Sequence, residues 1–327
     1  VDTVEIAGKL SGPLSDGIRI LNESPLAEMT GHIAESWNGS GSMSTVAHLE
    51  IPIGTRKGEE PYADVMVHLG DNNLTMALFD LTAYEIAGDV RYETKTGLSS
   101  DTFSARLFDE LVVGSIHSLI EDKTGEITVK VDGEVDMEDL YGWSDQTLLT
   151  RASGTLTYAT EIHIPYGRFS DRSYVEATSN LKGVVVDMPP PMQKLSPEAK
   201  MDFHYRQEFM DSGFRVNLSL NDQVESAIQV RDGIVTGGRL HFGGKMSGTI
   251  GYKQLNVTGA LKHIDYEEWD DLLEALDSVS DVSIESEMAH SLDDIVLDVA
   301  LLDVFSLGLP DTKLRITQAE SGWLAEL

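Results

Sequence analysis

Apolar and polar residues alternate along most of this chain. Phe214, Val216, Leu218 and Leu220 are separated by Arg215, Asn217 and Ser219, and Ile127, Val129 and Val131 by Thr128 and Lys130. The same two-residue period recurs at Val65-Val67-Leu69, Leu74-Met76-Leu78, Ile162-Ile164, Met201-Phe203-Tyr205, Ile295-Leu297-Val299-Leu301 and Leu314-Ile316. Side chains two apart share a sheet face, so each stretch reads as a strand with one apolar and one polar side. Antiparallel sheets tolerate that asymmetry, whereas parallel strands buried on both faces read as continuous apolar runs. Turn signals at Asp71-Asn72-Asn73, Lys95-Thr96-Gly97, Lys123-Thr124-Gly125 and Asp232-Gly233 fall between the runs. The pattern predicts a mostly β, antiparallel fold.

Three short helices are predicted within it. Tyr266, Trp269, Leu272, Leu273 and Leu276 fall on one helical face, with Asp265 placed as N-cap and Glu268 at the third helical position. A second helix is expected over Ser15 to Leu21, stopping before Ser24-Pro25, and a third from near Asp136 to Trp143. Each follows a strand containing a glycine, Gly8, Gly133 or Gly259, which is a weak internal repeat. The run Pro189-Pro190-Pro191 must end the strand of Val184 to Val186, because proline cannot donate to a ladder.

Composition narrows the classes. At 41% hydrophobic residues the chain can build a core. With 24 Lys and Arg against 55 Asp and Glu, the net charge of −31 opposes nucleic-acid binding and an anionic bilayer surface alike. From Asp265 to Asp303 there are fourteen carboxylates and no Lys or Arg, which reads as a solvated acidic surface. No apolar run approaches the roughly 18 residues of a membrane-spanning helix. The absence of cysteine removes disulfides, thiolate metal sites and cysteine nucleophiles. The start at Val1 and the end at Leu327 are those expected of a segment of a larger protein.

Catalytic and cofactor signals are sparse. The nine histidines form neither an H-E-x-x-H motif nor a helical pair for a metal, and there is no G-x-S-x-G elbow. Gly243-Gly244-Lys245 lacks phosphate-loop spacing and places Met246 where Ser or Thr would meet magnesium, so glycines at the tight turns of a hairpin are expected there. Asp132, Glu134, Asp136 and Glu138 resemble a calcium loop only loosely, with Gly133 out of place. Trp37, Trp143, Trp269 and Trp323 are scattered, and Trp143 and Trp269 are expected to cover sheet ends. No enzyme, cofactor or metal is expected.

One stretch goes beyond a generic β protein. Ser179 to Lys194, SNLKGVVVDMPPPMQK, resembles the "LxGvxldLPaPlgK" stretch of the YhdP family of AsmA-like proteins. Leu10-Ser11-Gly12-Pro13-Leu14 with Ser24-Pro25-Leu26 resembles that family's "sGPLxdalxfLxxSPL" pattern. Gly88-Asp89-Val90-Arg91-Tyr92, Gly97-Leu98 and Ala105-Arg106-Leu107-Phe108 resemble its "GxlxYxxxxGLxxxxlxArLFG" region, and Gly259 to Trp269 and Gly322-Trp323 keep the same layout. Asp109, Met188 and Met192 depart from the pattern.

The resemblance implies an interior segment of a periplasmic protein that an N-terminal helix outside this chain holds in the inner membrane of Gram-negative bacteria. It implies an elongated, curled antiparallel sheet with a few short capping helices. Its apolar trough would carry phospholipid acyl chains toward the outer membrane, acting as a monomer, with membrane contact through parts of the protein outside this chain. On alternation alone, closure of the apolar faces as a sandwich core serves as well as an open trough. A closed sandwich would make the protein a scaffold for outer-membrane assembly. Residues 1–327 are expected to form one continuous groove segment, with possible sub-units 1–150, 151–265 and 266–327. Candidate lining residues are Val65, Val67, Leu69, Ile127, Val129, Val131, Ile162, Ile164, Phe214, Val216, Leu218, Leu220, Leu297 and Val299.

Overall fold

The computed structural model describes residues 2–24, 27, 33–53, 61–121, 124–167, 172–279, 292–319 and 322–327. By contacts the chain divides into two compact units, Val1–Val135 with Tyr158–Val175, and Asp136–Thr157 with Glu176–Leu327. Both are mostly antiparallel β, with three short helices among the described residues.

The first unit contains β1 (Asp2–Pro13), α1 (Leu14–Glu23), β2 (Trp37–Ser40), β3 (Ser42–Ile53), β4 (Tyr62–Met76), β5 (Leu81–Glu93), β6 (Gly97–Leu107), β7 (Glu110–Glu121), β8 (Thr124–Asp136) and the second half of β9 (Ala152–Gly167). From β3 to β8 each strand pairs antiparallel with the next, and β1 lies on the free side of β3. Among the described residues β1 pairs only with β3, so the sheet has an edge and is not a closed barrel. β5 joins β6 over residues 94–96 and β6 joins β7 over residues 108–109, short turns that antiparallel pairing allows.

β4 is one strand of 15 residues where the sequence pattern predicts two strands and a turn. Asp71 has a φ of 61° and the register against β5 shifts between Leu69 and Leu74, so the predicted turn is a bulge inside the strand. Asn72 makes this possible. Its side chain is fully buried; Oδ1 accepts from the Gly70 N–H at 2.9 Å, and Nδ2 donates to the Ser40 and Ser42 carbonyls at 3.3 and 3.1 Å. Backbone groups that the bulge strips from the ladder are thus bonded by one side chain.

The second unit contains α2 (Met137–Ser144), the first half of β9, β10 (Tyr174–Ser179), β11 (Val184–Val186), β12 (Phe203–Met210), β13 (Gly213–Leu220), β14 (Val224–Arg231), β15 (Ile234–Phe242), β16 (Leu255–Leu261), β17 (Ile264–Asp265), α3 (Tyr266–Val279), β18 (Leu292–Val304), β19 (Leu307–Ala319) and β20 (Gly322–Glu326). Strands β12 to β15 form an antiparallel meander, and β18 to β20 another. Between them β15 pairs with β16, and β16 and β17 pair with β18, all parallel.

The glycine stretch after β15 is therefore a crossover and not the hairpin expected from its composition. Residues 243–254 return the chain to the starting end of the sheet, and Arg239 holds them by donating to the Ser247 and Thr249 carbonyls. The three helices occur where predicted. Asp136 and Asp265 cap α2 and α3, accepting from the Glu138 and Glu267 N–H groups, each at 2.9 Å. That arrangement satisfies amides that a helix start leaves unpaired. The side chains of Leu78, Leu276 and Trp323 lie outside what the structure describes, as do Pro25, Leu26 and residues 280–291 of the acidic run.

Asn72→Ala should lower stability by about 2–3 kcal/mol, because it leaves buried backbone groups unpaired. The exposed Asn38→Ala should change stability by less than about 0.5 kcal/mol. Urea unfolding of both variants checks this; an Asn72→Ala variant as stable as the parent would mean the bulge does not depend on that side chain.

Candidate functional site

In the first unit the register collects apolar side chains on one face. Val4 and Ile6 of β1 oppose Ile51 and Leu49 of β3, and Leu49, Ala47 and Thr45 oppose Ala63, Val65 and Val67 of β4. Val65 and Val67 oppose Tyr92 and Val90 of β5. Further along, Ile116 and Gly114 of β7 oppose Val129 and Val131 of β8. The other face carries charge pairs across strands, His48 with Glu5 at 3.1 Å, Arg91 with Asp64 at 2.8 Å, His68 with Asp89 at 2.6 Å, Lys130 with Glu161 at 2.6 Å and His163 with Glu126 at 2.9 Å, interspersed with exposed Leu111, Val113 and Leu119. The Asp64 carboxyl titrates below its usual range because the Arg91 guanidinium is hydrogen-bonded to it.

This apolar face is packed over its interior strands and open along β1 and β3, at the edge of the sheet. Ala83, Ala105 and Val112 are buried, with Met76, Ile86, Leu107, Val131 and Tyr158 against them. Nearby, α1 lies over the sheet so closely that a Cβ on Gly39 would overlap Leu14 and Ile18. By contrast Val4, Ile6 and Ile53 are 40%, 48% and 57% exposed. Large apolar side chains left in solvent on the face that should be dry are the informative observation, since a sandwich core would bury them.

Burial raises the Tyr166 phenol of β9, and the Tyr92 phenol of β5 raises it further. Rings on this face lie down over glycines: a Cβ on Gly114 would overlap the Phe103 ring, and one on Gly125 the Tyr166 ring. The floor thereby stays low where a bulkier pair would fill the hollow.

The second unit has the same plan. Phe203, Tyr205, Gln207 and Phe209 of β12 oppose Leu220, Leu218, Val216 and Phe214 of β13, which oppose Val224, Ser226, Ile228 and Val230 of β14. The row continues through Leu240 and Phe242 of β15 and Val257 of β16 to Ile295 and Leu297 of β18. One strand end is sealed by Val224, Phe242, Leu261, Ile264, Leu297, Val299 and Leu302. Trp269 of α3 stands edge-on to Phe242 with ring centroids 6.0 Å apart, as an end cover should, whereas Trp143 is 41% exposed. Met192, from the loop after β11, packs on the same seal.

That loop carries the motif ending in Lys194. The Lys194 side chain is buried, and its ammonium donates to the Val184 and Ser196 carbonyls, while Val186 and Lys194 exchange both backbone hydrogen bonds. Burial pulls its pKa down. The motif is therefore a clasp that seats Met192, and it brings no reactive group into the open.

Of the lining candidates, Val65, Val67, Leu69, Val129, Val131 and Ile162 are half-buried in the first unit, while Ile127 and Ile164 are buried. Phe214, Val216, Leu218 and Leu220 are half-buried in the second unit, and Leu297 and Val299 are buried in its seal. Tyr205 and Gln207 share the second face, and the sequence pattern did not single them out as lining residues. The Tyr205 hydroxyl donates to Gln207 Oε1, and burial pushes the phenol up to about 12. Gln207 itself shows in the sequence as a polar residue in an apolar register.

The weaker chemical signals have structural places. Asp132 and Glu134 are exposed on the polar side of β8, and Asp136 is a helix cap. The Met246 N–H donates to the Glu225 carboxylate at 2.6 Å, so an acid stands where a phosphate would have to sit. Among the described residues no group of three His, Asp or Glu side chains could hold a metal ion, and no helix is long and apolar enough to cross a membrane.

Mostly antiparallel sheets with one apolar, partly exposed face define the class of β protein to which the chain belongs. The family model described as YhdP protein matches residues 1–327, and the chain belongs to the YhdP family of AsmA-like proteins. No curated protein and no solved structure matches it.

The neutral Tyr205 phenol makes stability pH-dependent. An unfolded tyrosine ionises near pH 10 and the folded one near 12, so its stabilisation is complete below pH 10 and falls as pH rises toward 12. Tyr158 and Tyr166 shift the same way through burial. Unfolding free energies from urea titrations should fall by on the order of 2 kcal/mol between pH 9 and 12 through Tyr205, and Tyr205→Phe should flatten part of the slope. An unchanged slope in that variant would place the phenol in solvent.

Proposed function

We propose that this chain is a segment of a bridge-like protein of the bacterial envelope that carries phospholipid acyl chains along its apolar faces through the periplasm, between inner and outer membrane. It acts by shielding, with no reaction and no cofactor. The observation that carries the reading is the apolar face of the first unit, continuous from β1 to β8 in register yet left partly exposed along β1 and β3. Family membership supports it, since AsmA-like proteins are associated with lipid movement.

The physical need for such a surface is large. Moving one acyl chain of about 16 methylenes through water costs about 12 kcal/mol at ~0.8 kcal/mol per methylene, and a second chain doubles it. Strands spaced about 4.8 Å apart offer a strip of side chains with no fixed stopping point, so a chain can slide from one strand to the next without leaving cover. The charged opposite face keeps the sheet in water, and the carboxylate excess keeps copies apart.

Val67→Arg tests the reading against a closed scaffold. Val67 is half-buried on the apolar face, and its neighbour His68 faces outward against Asp89. In an open trough the arginine bends toward water, so the protein folds and lipid transport falls. His68→Arg keeps an ion pair with Asp89 and should leave transport intact. Outer-membrane barrier function and melting temperature in the full-length protein are the readouts. If Val67→Arg unfolds the protein, the face is a closed core; if it folds and transports normally, the face is not on a lipid path.

A further inference from the structure

Among the described residues, Gln207 is the one carboxamide on the apolar face of the second unit from β12 through β18. It stands opposite Val216, between Tyr205 and Phe209 on its own strand. The Tyr205 hydroxyl donates to Gln207 Oε1 and so turns the Nε2 amide away from itself. Neither Nε2 proton has a partner among the described residues, and Gln207 is only half-buried. Water can satisfy the amide while the face is empty. A purely hydrocarbon ligand lying over it would strip that water and return nothing, which is unfavourable.

A ligand with an acceptor oxygen at the head of an apolar chain reverses that balance. We propose that Gln207, oriented by Tyr205, is a hydrogen-bond donor site for the carbonyl oxygen of an acyl group, so that the second unit prefers acyl lipids over alkyl lipids of equal length. The inference rests on the trough reading above and adds a fixed point to it: acyl chains slide over Val216 and Leu218, and their carbonyl pauses at Gln207. An ester-linked glycerophospholipid and a free fatty acid both present this oxygen; a dialkyl ether lipid does not.

The test titrates the 327-residue chain with three ligands of matched chain length: a diester phosphatidylethanolamine, its diether analogue and the free fatty acid. Native mass spectrometry gives the bound fractions for the parent chain, Gln207→Leu and Tyr205→Phe. The parent should bind the diester about five- to tenfold more tightly than the diether, the value of one net hydrogen bond in a partly dry site. Gln207→Leu should bring that ratio to about one without lowering the melting temperature, since leucine suits the face. Tyr205→Phe, which frees the carboxamide to rotate, should reduce the ratio partway. A Gln207-dependent preference seen only for the fatty acid keeps the carbonyl site and assigns the free acid as its source. Equal binding of diester and diether by the parent, or a ratio that survives Gln207→Leu, overturns the inference and leaves the trough standing. Failure of all three ligands to bind overturns the trough reading and the inference with it.

Discussion

Every property of this chain depends on keeping one register across many strands. The side-chain period of a strand is two, so a slip of one residue sends a whole apolar row to the other face. In the first unit cross-strand ion pairs resist that slip. Arg91 grips Asp64 through two hydrogen bonds of 2.8 and 2.9 Å, and Lys130 meets Glu161 at 2.6 Å. Each exposed pair adds little to stability. Their value lies in specificity, because a slipped strand would bring arginine or lysine among valines.

The second requirement is a sheet that bends without filling its own hollow. Glycine opposite an aromatic ring meets it, as with Gly114 beneath Phe103, because the ring occupies the space that a Cβ would take. Closure at one strand end then decides which part of the apolar row is core and which part is surface. In the second unit α3 and the Lys194 clasp seal Leu297 and Val299, while Val216 and Leu218 remain half-buried. One face thus serves stability at one end and stays half-buried at the other, the division that the proposed transport role requires.

Strands, helix starts and the apolar face were legible from the sequence because they follow from local periods and caps: Ile127, Val129 and Val131 do share a face, and Asp265 does cap its helix. Three features were not legible. Asp71-Asn72-Asn73 has the composition of a turn, and only the Asn72 side chain reaching Ser40 and Ser42 makes it a bulge. The glycines after Phe242 suit a hairpin as well as a crossover, and the parallel pairing of β16 is decided by distant partners on β18. Burial of Leu297 and Val299 depends on how far a cover extends along the strand, which a two-residue period does not encode. Gln207 was visible as a break in alternation, but its meaning needed the Tyr205 hydrogen bond.

The central claim, that the apolar face and not the protein surface in general holds acyl chains, is tested most directly by a photo-crosslinking amino acid placed at Val129 or at Lys130 in the full-length protein in cells. These neighbours point to opposite faces of β8, Val129 across from Ile116 and Lys130 toward Glu161. The account predicts a phospholipid adduct at Val129 and none at Lys130. Equal adduct at both positions, or adduct at Lys130 alone, would contradict it.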